Sequence, residues 1–390
     1  MTSTVITASA MALCIAAGPM GCDGSSSSRG APPEPPPPHG DSLGSRLTVP
    51  DGFRVAYFAH GLDGVRFMAL APDGAVYASE PGSNRVVRVW DVDGDGVADS
   101  AVAAVESLDR PHGLAFHKGY LYIANTGGVY RVRLGASGRA LGAPERVNSY
   151  AGGGGHWTRS IAFDADSAMY VTIGSSCNLC AESNPQRAAV MRFDEDGSNG
   201  RLYATGLRNA VGIAPNPATG EMWVSQNERD DLPPDHQDLP PEEIDVLRDG
   251  GDYGWPYCYS LHGSVVPSPD MDGASAARCA STIPAALEMQ AHSAPLGMTF
   301  LDRATQLPAE WRGDLLVAFH GSWNRDTPTG AKVVRVHVVD GKPVSYEDFA
   351  SGWQRPDGSR WGRPVDVIVY GDGSVLISDD AGGAIFRVYR

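Results

Sequence analysis

The strongest constraint on this chain is a phrase that it repeats six times. Each copy is an apolar run, a tight turn, and a second run with a Tyr-Val-like pair near its end. A loop and a third run of the type "RV" follow. The copies begin RFMALAPDGAVYASE at 66, HGLAFHKGYLYIAN at 112, RSIAFDADSAMYVTIG at 159, NAVGIAPNPATGEMWVSQ at 209, PLGMTFLDRATQLPAEWRGDLLVAF at 295 and RPVDVIVYGDGSVLISDD at 363. One more short run lies between copies, such as VAAVESL, RLYATGL or YEDFASGW. Each unit therefore holds four strands, and a single unit cannot bury its own apolar faces. Six in series predict an all-β, six-bladed β-propeller. FRVAYFAHGL (53–62) has no inner strands before it, while the last copy ends at Arg390 without an outer strand. Pairing the two closes the ring and hides both edges. A pair of β-sandwiches would not need the constant repeat phase.

The blade topology sorts the loops. In an up-and-down blade, the linker into strand one and the loop between strands two and three share a face. The one-to-two turns lie on the other face, and here they are short: PDG, HKG, DAD, GDG. The long segments GSSCNLCAESNPQR, NERDDLPPDHQDLPPEE and HGSWNRDTPTG are two-to-three loops. Long loops gathered on one face of a rigid scaffold carry function. On that face the inner strands open with Arg66, His112, His156 and Arg159, Arg208 and Asn209, His292, and Arg363. The chain as a whole is acidic, with 31 Lys+Arg against 46 Asp+Glu and net charge −15. That balance excludes nucleic acid, which needs a basic stripe. A local ring of guanidinium and imidazole groups instead fits a small anion, and arginine matches planar carboxylates bidentately. The glycines at 152–155, just before His156, let backbone lie close to a flat ligand. No GxGxxG stands between a strand and a helix. The pattern asks for a tightly held, planar, carboxylate-rich cofactor.

Residues 1–21 read as an export segment and 22–45 as a Ser/Pro-rich linker too poor in apolar surface to fold. Residues 46–390 form the propeller domain. Cys22 resembles the lipidated cysteine of a bacterial lipoprotein, so the protein is expected to be exported, either periplasmic or membrane-anchored. In that setting Cys177–Cys180 and Cys258–Cys279 read as two local disulfides. DVDGDGVAD places Asp91, Asp93, Asp95 and Asp99 at calcium-loop spacing, on the plain face. The twelfth position is Val102, so the reading is a structural Ca²⁺ site or else a solvated acidic turn. Tyr253, Trp255 and Trp323 either wall a pocket or pack within their loops.

GGGGHWTRSIAF, GLRNAVGIAPNPATGEMWVSQNERDD, GGDYGWPYCY, HGSWNR and WGRPVDV together resemble the bacterial glucose/sorbosone dehydrogenases. These are exported six-bladed propellers that use pyrroloquinoline quinone (PQQ) and Ca²⁺. The HWTR and HGSWNR forms are most similar to the sorbosone-dehydrogenase-like branch, and the likeness covers residues 46–390. The resemblance implies His156 as general base and Arg208 with Asn209 as the pair that contacts the quinone. It implies Arg363 as a cofactor arginine; Val365 stands where relatives often carry another. Arg325 is the candidate for the cofactor lysine of some relatives. Arg66 and Arg159 complete the set of cofactor-binding cations. The cofactor's Ca²⁺ would rest on the main-chain carbonyls of Glu228 and Arg229. The implied reaction oxidises a sugar: His156 takes a hydroxyl proton, and Arg208 and Ca²⁺ steady negative charge on the quinone. Electrons then pass to an external acceptor. Two rivals stand beside this reading. One is a calcium-dependent lactonase on the same fold, which needs acidic and amide groups around an axial metal. The other is a non-enzymatic binding propeller.

Overall fold

The computed structural model describes residues 46–390. The export segment, Cys22 and the linker to residue 45 lie outside the described residues. Six antiparallel blades follow one another along the chain, five of them four-stranded sheets and the third extended by one more strand. Their inner strands are Met68–Leu70, Leu114–His117, Ile161–Phe163, Ala210–Pro215, Pro295–Phe300 and Pro364–Val369. The sixth blade is completed by Arg54–His60, which pairs antiparallel with Ala384–Tyr389, Arg54 facing Tyr389. The ring is closed between the two ends of the domain, as the unpaired FRVAYFAHGL run predicts.

The second strand of each blade explains the sequence pattern. Val76–Glu80, Met169–Ile173 and Leu315–Phe319 are buried along their whole length. Each is covered by neighbouring blades on both faces, so both of its faces are buried, Ser79, Glu80 and Thr172 included. The outer strand Lys342–Ala350 alternates and is largely exposed. Large rings fill the spaces between blades: Trp223 and Trp353 are fully buried. On the axis itself, Phe67, Val211, Leu296 and Val365 from four inner strands pack into a buried apolar plug.

The fourth blade carries an insertion between its third strand, Glu242–Val246, and its fourth, Leu287–Met289. Gly251–Asp252 pairs in parallel with Arg201–Thr205 and adds a fifth strand to blade three. The insertion thereby runs up the outside of blade three to the elaborated face. A hairpin, Cys258–Leu261 with Ser264–Pro267, and a short helix, Ala276–Cys279, follow. The Cys258–Cys279 disulfide closes this insertion, and Cys177–Cys180 closes the blade-three loop. Among the described residues no helix is long and apolar enough to cross a membrane.

Candidate active site

The four glycines at 152–155 serve the protein's own packing. Arg187 is buried and turns its guanidinium into this loop, donating to the carbonyls of Gly152 (2.5 Å), Gly153 and Gly154 (3.3 Å). A Cβ at Gly155, which has φ +53, would lie 2.5 Å from the Ser176 carbonyl oxygen. Glycine lets the loop close onto the next loop, 175–176. Arg159 belongs to the same scaffold. It is fully buried and donates to the carbonyls of His156 (2.9 Å), Thr158 (2.7 Å) and Ala151 (3.0 Å). Nη1 and Nη2 of Arg159 thus serve the backbone that frames His156, while Nε is buried without a protein partner.

His156 is half-buried, with Nδ1 2.9 Å from Ser175 Oγ. Burial first, then the Arg208 charge, pushes its pKa down to about 4; the Ser175 backbone and Asp230 oppose the shift without reversing it. The ring is thus neutral at ordinary pH. A Cβ at Gly174 would lie 2.5 Å from His156 Cβ and 2.7 Å from Asn209 Oδ1, so glycine there brings the two side chains together. Asn209 Oδ1 is buried with no protein partner.

Arg208 is buried beside them in a full set of acceptors. Nε donates to Asn178 O (3.1 Å), Nη1 to Glu228 O (2.7 Å) and Asn227 O (3.2 Å). Nη2 donates to Asn178 Oδ1 (2.9 Å) and Asp230 Oδ2 (3.3 Å). Asp230 Oδ1 in turn accepts from Asn324 Nδ2 (3.2 Å) and lies 3.6 Å from His292 Nδ1. Burial alone would lower the His292 pKa, but Asp230 and Glu242 outweigh it and raise it. The expected Ca²⁺ position carries a competing group. Glu228 O, predicted as a Ca²⁺ ligand with Arg229, already accepts the Arg208 guanidinium, while the Arg229 side chain is tied to Asp270. A divalent cation on that carbonyl would lie against a fixed positive charge.

A second polar group flanks the same mouth. Asp380 accepts from Arg66 Nη1 and from His320 Nε2 (2.9 Å). Burial would raise the Asp380 pKa, but the His320 bond and the Arg66 and Arg363 charges hold it at about 2. Burial lowers His320 to about 4. Arg363 donates Nε to His320 O (3.0 Å) and Nη2 to Gly321 O (2.8 Å). One loop links the two groups: it brings His320 to Asp380 and Asn324 to Asp230. Val365 lies in the axial plug, so a longer cation there would have to displace the plug. Arg325, the candidate cation of the loop that carries His320 and Asn324, is held by neighbouring loops. It donates to Thr327 O (3.1 Å), Gln237 O and Asp238 Oδ1 (2.9 Å), and so braces two loops together.

A family model described as TrAA12-like matches residues 47–390. The chain belongs to the TrAA12-like family. An uncharacterized protein of Borreliella burgdorferi is 28% identical over 378 residues, covering 90% of this chain and 92% of that one. A pyrroloquinoline quinone-dependent pyranose dehydrogenase of Coprinopsis cinerea is 26% identical over 416 residues, with 88% of this chain covered. The match covers 55% of that enzyme, so this chain spans about half its length. Among solved structures, a Trichoderma reesei protein of carbohydrate-active enzyme family AA12 superposes with TM-score 0.78 at 24% identity, covering 88% of this chain and 97% of that one. The holo PQQ domain of the Coprinopsis cinerea pyranose dehydrogenase gives 0.77 at 23% identity, covering 93% and 99%. Both share the six-bladed propeller.

In this TrAA12-like chain the aromatic candidates divide. Tyr253 is buried, with its hydroxyl donating to Val246 O (2.7 Å), and packs the insertion. Trp255 is buried and donates Nε1 to Asn178 O (3.2 Å), supporting the disulfide loop from behind. Trp323 alone of the three is open, 73% exposed. In the acidic loop, oxygens of Asp91, Asp93 and Asp99 lie within 4.8 Å of one another. Asp95 departs from the predicted set and caps Val97 N instead (2.8 Å). Ser175, Asn178 and Asp380 carry no motif signal that singles them out, while Asp230 and His320 stand in the NERDD and HGSWNR segments without a role assigned there.

Proposed function

We propose that this chain is an exported, PQQ-dependent sugar dehydrogenase with His156 as general base. The observation that carries the reading is the His156 ring held on Ser175, with the unpartnered Asn209 oxygen brought beside it over Gly174. The residues present fit a flat tricarboxylate. The charges of Arg66, Arg208 and Arg363 exceed those of Asp380 and Asp230, with which the first two pair, and Arg363 keeps Nη1 uncommitted among the described residues. PQQ, when bound, supplies the two-electron acceptor, and an external acceptor then takes those electrons.

The protein's part follows from its own groups. His156 Nε2 accepts the proton of the sugar hydroxyl. Arg208 is immobilised by five hydrogen bonds. It stands as a preorganised positive charge beside that proton transfer. Arg66 and Arg363 orient a bound carboxylate group. The residues do not fit a Ca²⁺ ion at the Glu228 carbonyl, and the electrostatic role is given to Arg208 alone. The acidic loop at Asp91, Asp93 and Asp99 is the better match to calcium chemistry, as a structural site.

Export, removal of residues 1–21 and lipid attachment at Cys22 belong to the same proposal. They rest on the segment's composition. A lactonase would need acidic and amide ligands converging on the axis. Among the described residues, side chains grouped closely enough for a metal occur in the Asp91 loop and at Cys177, Cys180 and Glu182, where the two sulfurs are joined in a disulfide.

The test adds PQQ, with and without Ca²⁺, to purified protein and follows dye reduction over a panel of aldoses, with lactone hydrolysis run alongside. Sugar-dependent dye reduction is expected. Background dye reduction with lactone turnover would replace this reading by its rival.

A further inference from the structure

We propose that Ser175 is a positioning residue that fixes His156 as the Nδ1–H tautomer, and that the Cys177–Cys180 disulfide holds Ser175 to that task. The proposal rests on the reading of His156 as base and adds what sets its reactive nitrogen. A serine hydroxyl has one proton to give. Ser175 Oγ lies 2.6 Å from the Cys177 carbonyl oxygen, which can only accept, so the proton goes there. The same Oγ lies 2.9 Å from His156 Nδ1 and is left with lone pairs to offer. Nδ1 must then carry the ring proton. Nε2 is left as the free base, and a base of fixed tautomer needs no rearrangement before it accepts a proton.

The rest of Ser175 is fastened as firmly. It is fully buried, its N–H donates to Arg208 O (2.7 Å), and its carbonyl accepts from His156 N (3.0 Å). One residue thus links the imidazole, the backbone of the key arginine, and the disulfide loop.

The disulfide loop reaches the site twice. Cys177 supplies the carbonyl that orients Ser175. Asn178, between the two cysteines, takes Nε and Nη2 of Arg208 on its two oxygens and both backbone groups of Asp230 on its side chain. The bridge closes only a four-residue ring. So short a loop gives the whole fold little of the chain-entropy benefit that grows with loop length. What it constrains is the direction of the Cys177 carbonyl and the Asn178 amide.

The test reads the ring nitrogens directly, in the whole protein labelled with ¹⁵N-histidine, before any quinone or sugar is added. The His156 resonances are assigned by their loss in His156→Ala. The expected spectrum shows a protonated Nδ1 and a pyridine-like Nε2. Ser175→Ala is expected to mix the two tautomers and to reduce kcat about ten- to a hundredfold, with KM little changed. Cys177→Ser/Cys180→Ser is expected to give the same mixing in milder form. A pyridine-like Nδ1 in the wild type, or an unaltered ring in Ser175→Ala, overturns the positioning role. An unaltered ring in the cysteine variant overturns the role of the disulfide. If turnover survives in His156→Ala while the tautomer is as expected, the base assignment fails and the positioning stands.

Discussion

At one end of the axis, the segments leading into the six inner strands carry Arg66, His156, Arg208, His292 and Arg363, knitted to Asp230, Asp380 and the backbone. At the other end, the turns that leave those same strands form a cavity of about 990 Å³ lined mainly by apolar groups, among them Leu70, Phe116, Ala214, Phe300 and Tyr370. The plug of Phe67, Val211, Leu296 and Val365 lies between the two ends. The strands are common to both ends, so the sheet does not make the chemistry. The difference is made by loop length. At the apolar end, strand ends and turn residues such as Pro72, Pro217 and Asp302 line the cavity together. Long loops bring in second layers such as Asn178, Asp230 and His320, which orient the first.

The contrast can be broken most sharply at His156. His156→Ala is expected to lower dye-coupled turnover at least about a hundredfold, with the thermal midpoint little changed. Turnover that persists with cofactor bound would erase the functional difference between the two ends. Arg208→Met should follow, reducing turnover and also costing about 3 kcal/mol of stability, because Asp230 would be left partly unpaired in a buried site. Equilibrium denaturation checks the second part. The pH profile sharpens the comparison further. With the His156 pKa depressed to about 4, the base stays free until pH falls through about 4, so the acid limb of turnover should lie there rather than near 6.5. An acid limb at 6.5 would mean a ring open to water. At the apolar end, Phe116→Ala should cost roughly 2 kcal/mol of stability and leave turnover unchanged. The smallest effect belongs to Trp323→Ala. That exposed ring should alter stability by no more than about 0.5 kcal/mol and act on the KM for sugar alone.

The fold was legible because a repeat states its own period. The six copies, the orphan outer strand and the crowding of one face all follow from spacing that survives translation into strands. Position was legible where the repeat phase decides it: Arg66, Arg208, Asn209 and Arg363 sit just before inner strands. A role was not legible where a side chain's partners decide it. Arg159 and Arg363 look alike as letters at strand openings. One is buried under a loop, bound to three carbonyls, and the other leans over the mouth with Nη1 uncommitted among the described residues. The bonds of Arg325 to Thr327, Gln237 and Asp238 are likewise invisible in the letters. Ser175 and Asn178 are small polar residues in a loop, and only their distances reveal the work. The CNLC spacing announced a staple without saying which carbonyl it would aim.

The central claim is that the elaborated mouth holds a planar tricarboxylate on its arginines. Equilibrium titration of PQQ into the purified protein tests it most directly. Saturable, stoichiometric binding is predicted, weakened at least about tenfold by Arg363→Ala and untouched by Phe116→Ala. Absence of saturable binding, or equal weakening by the two substitutions, would contradict it.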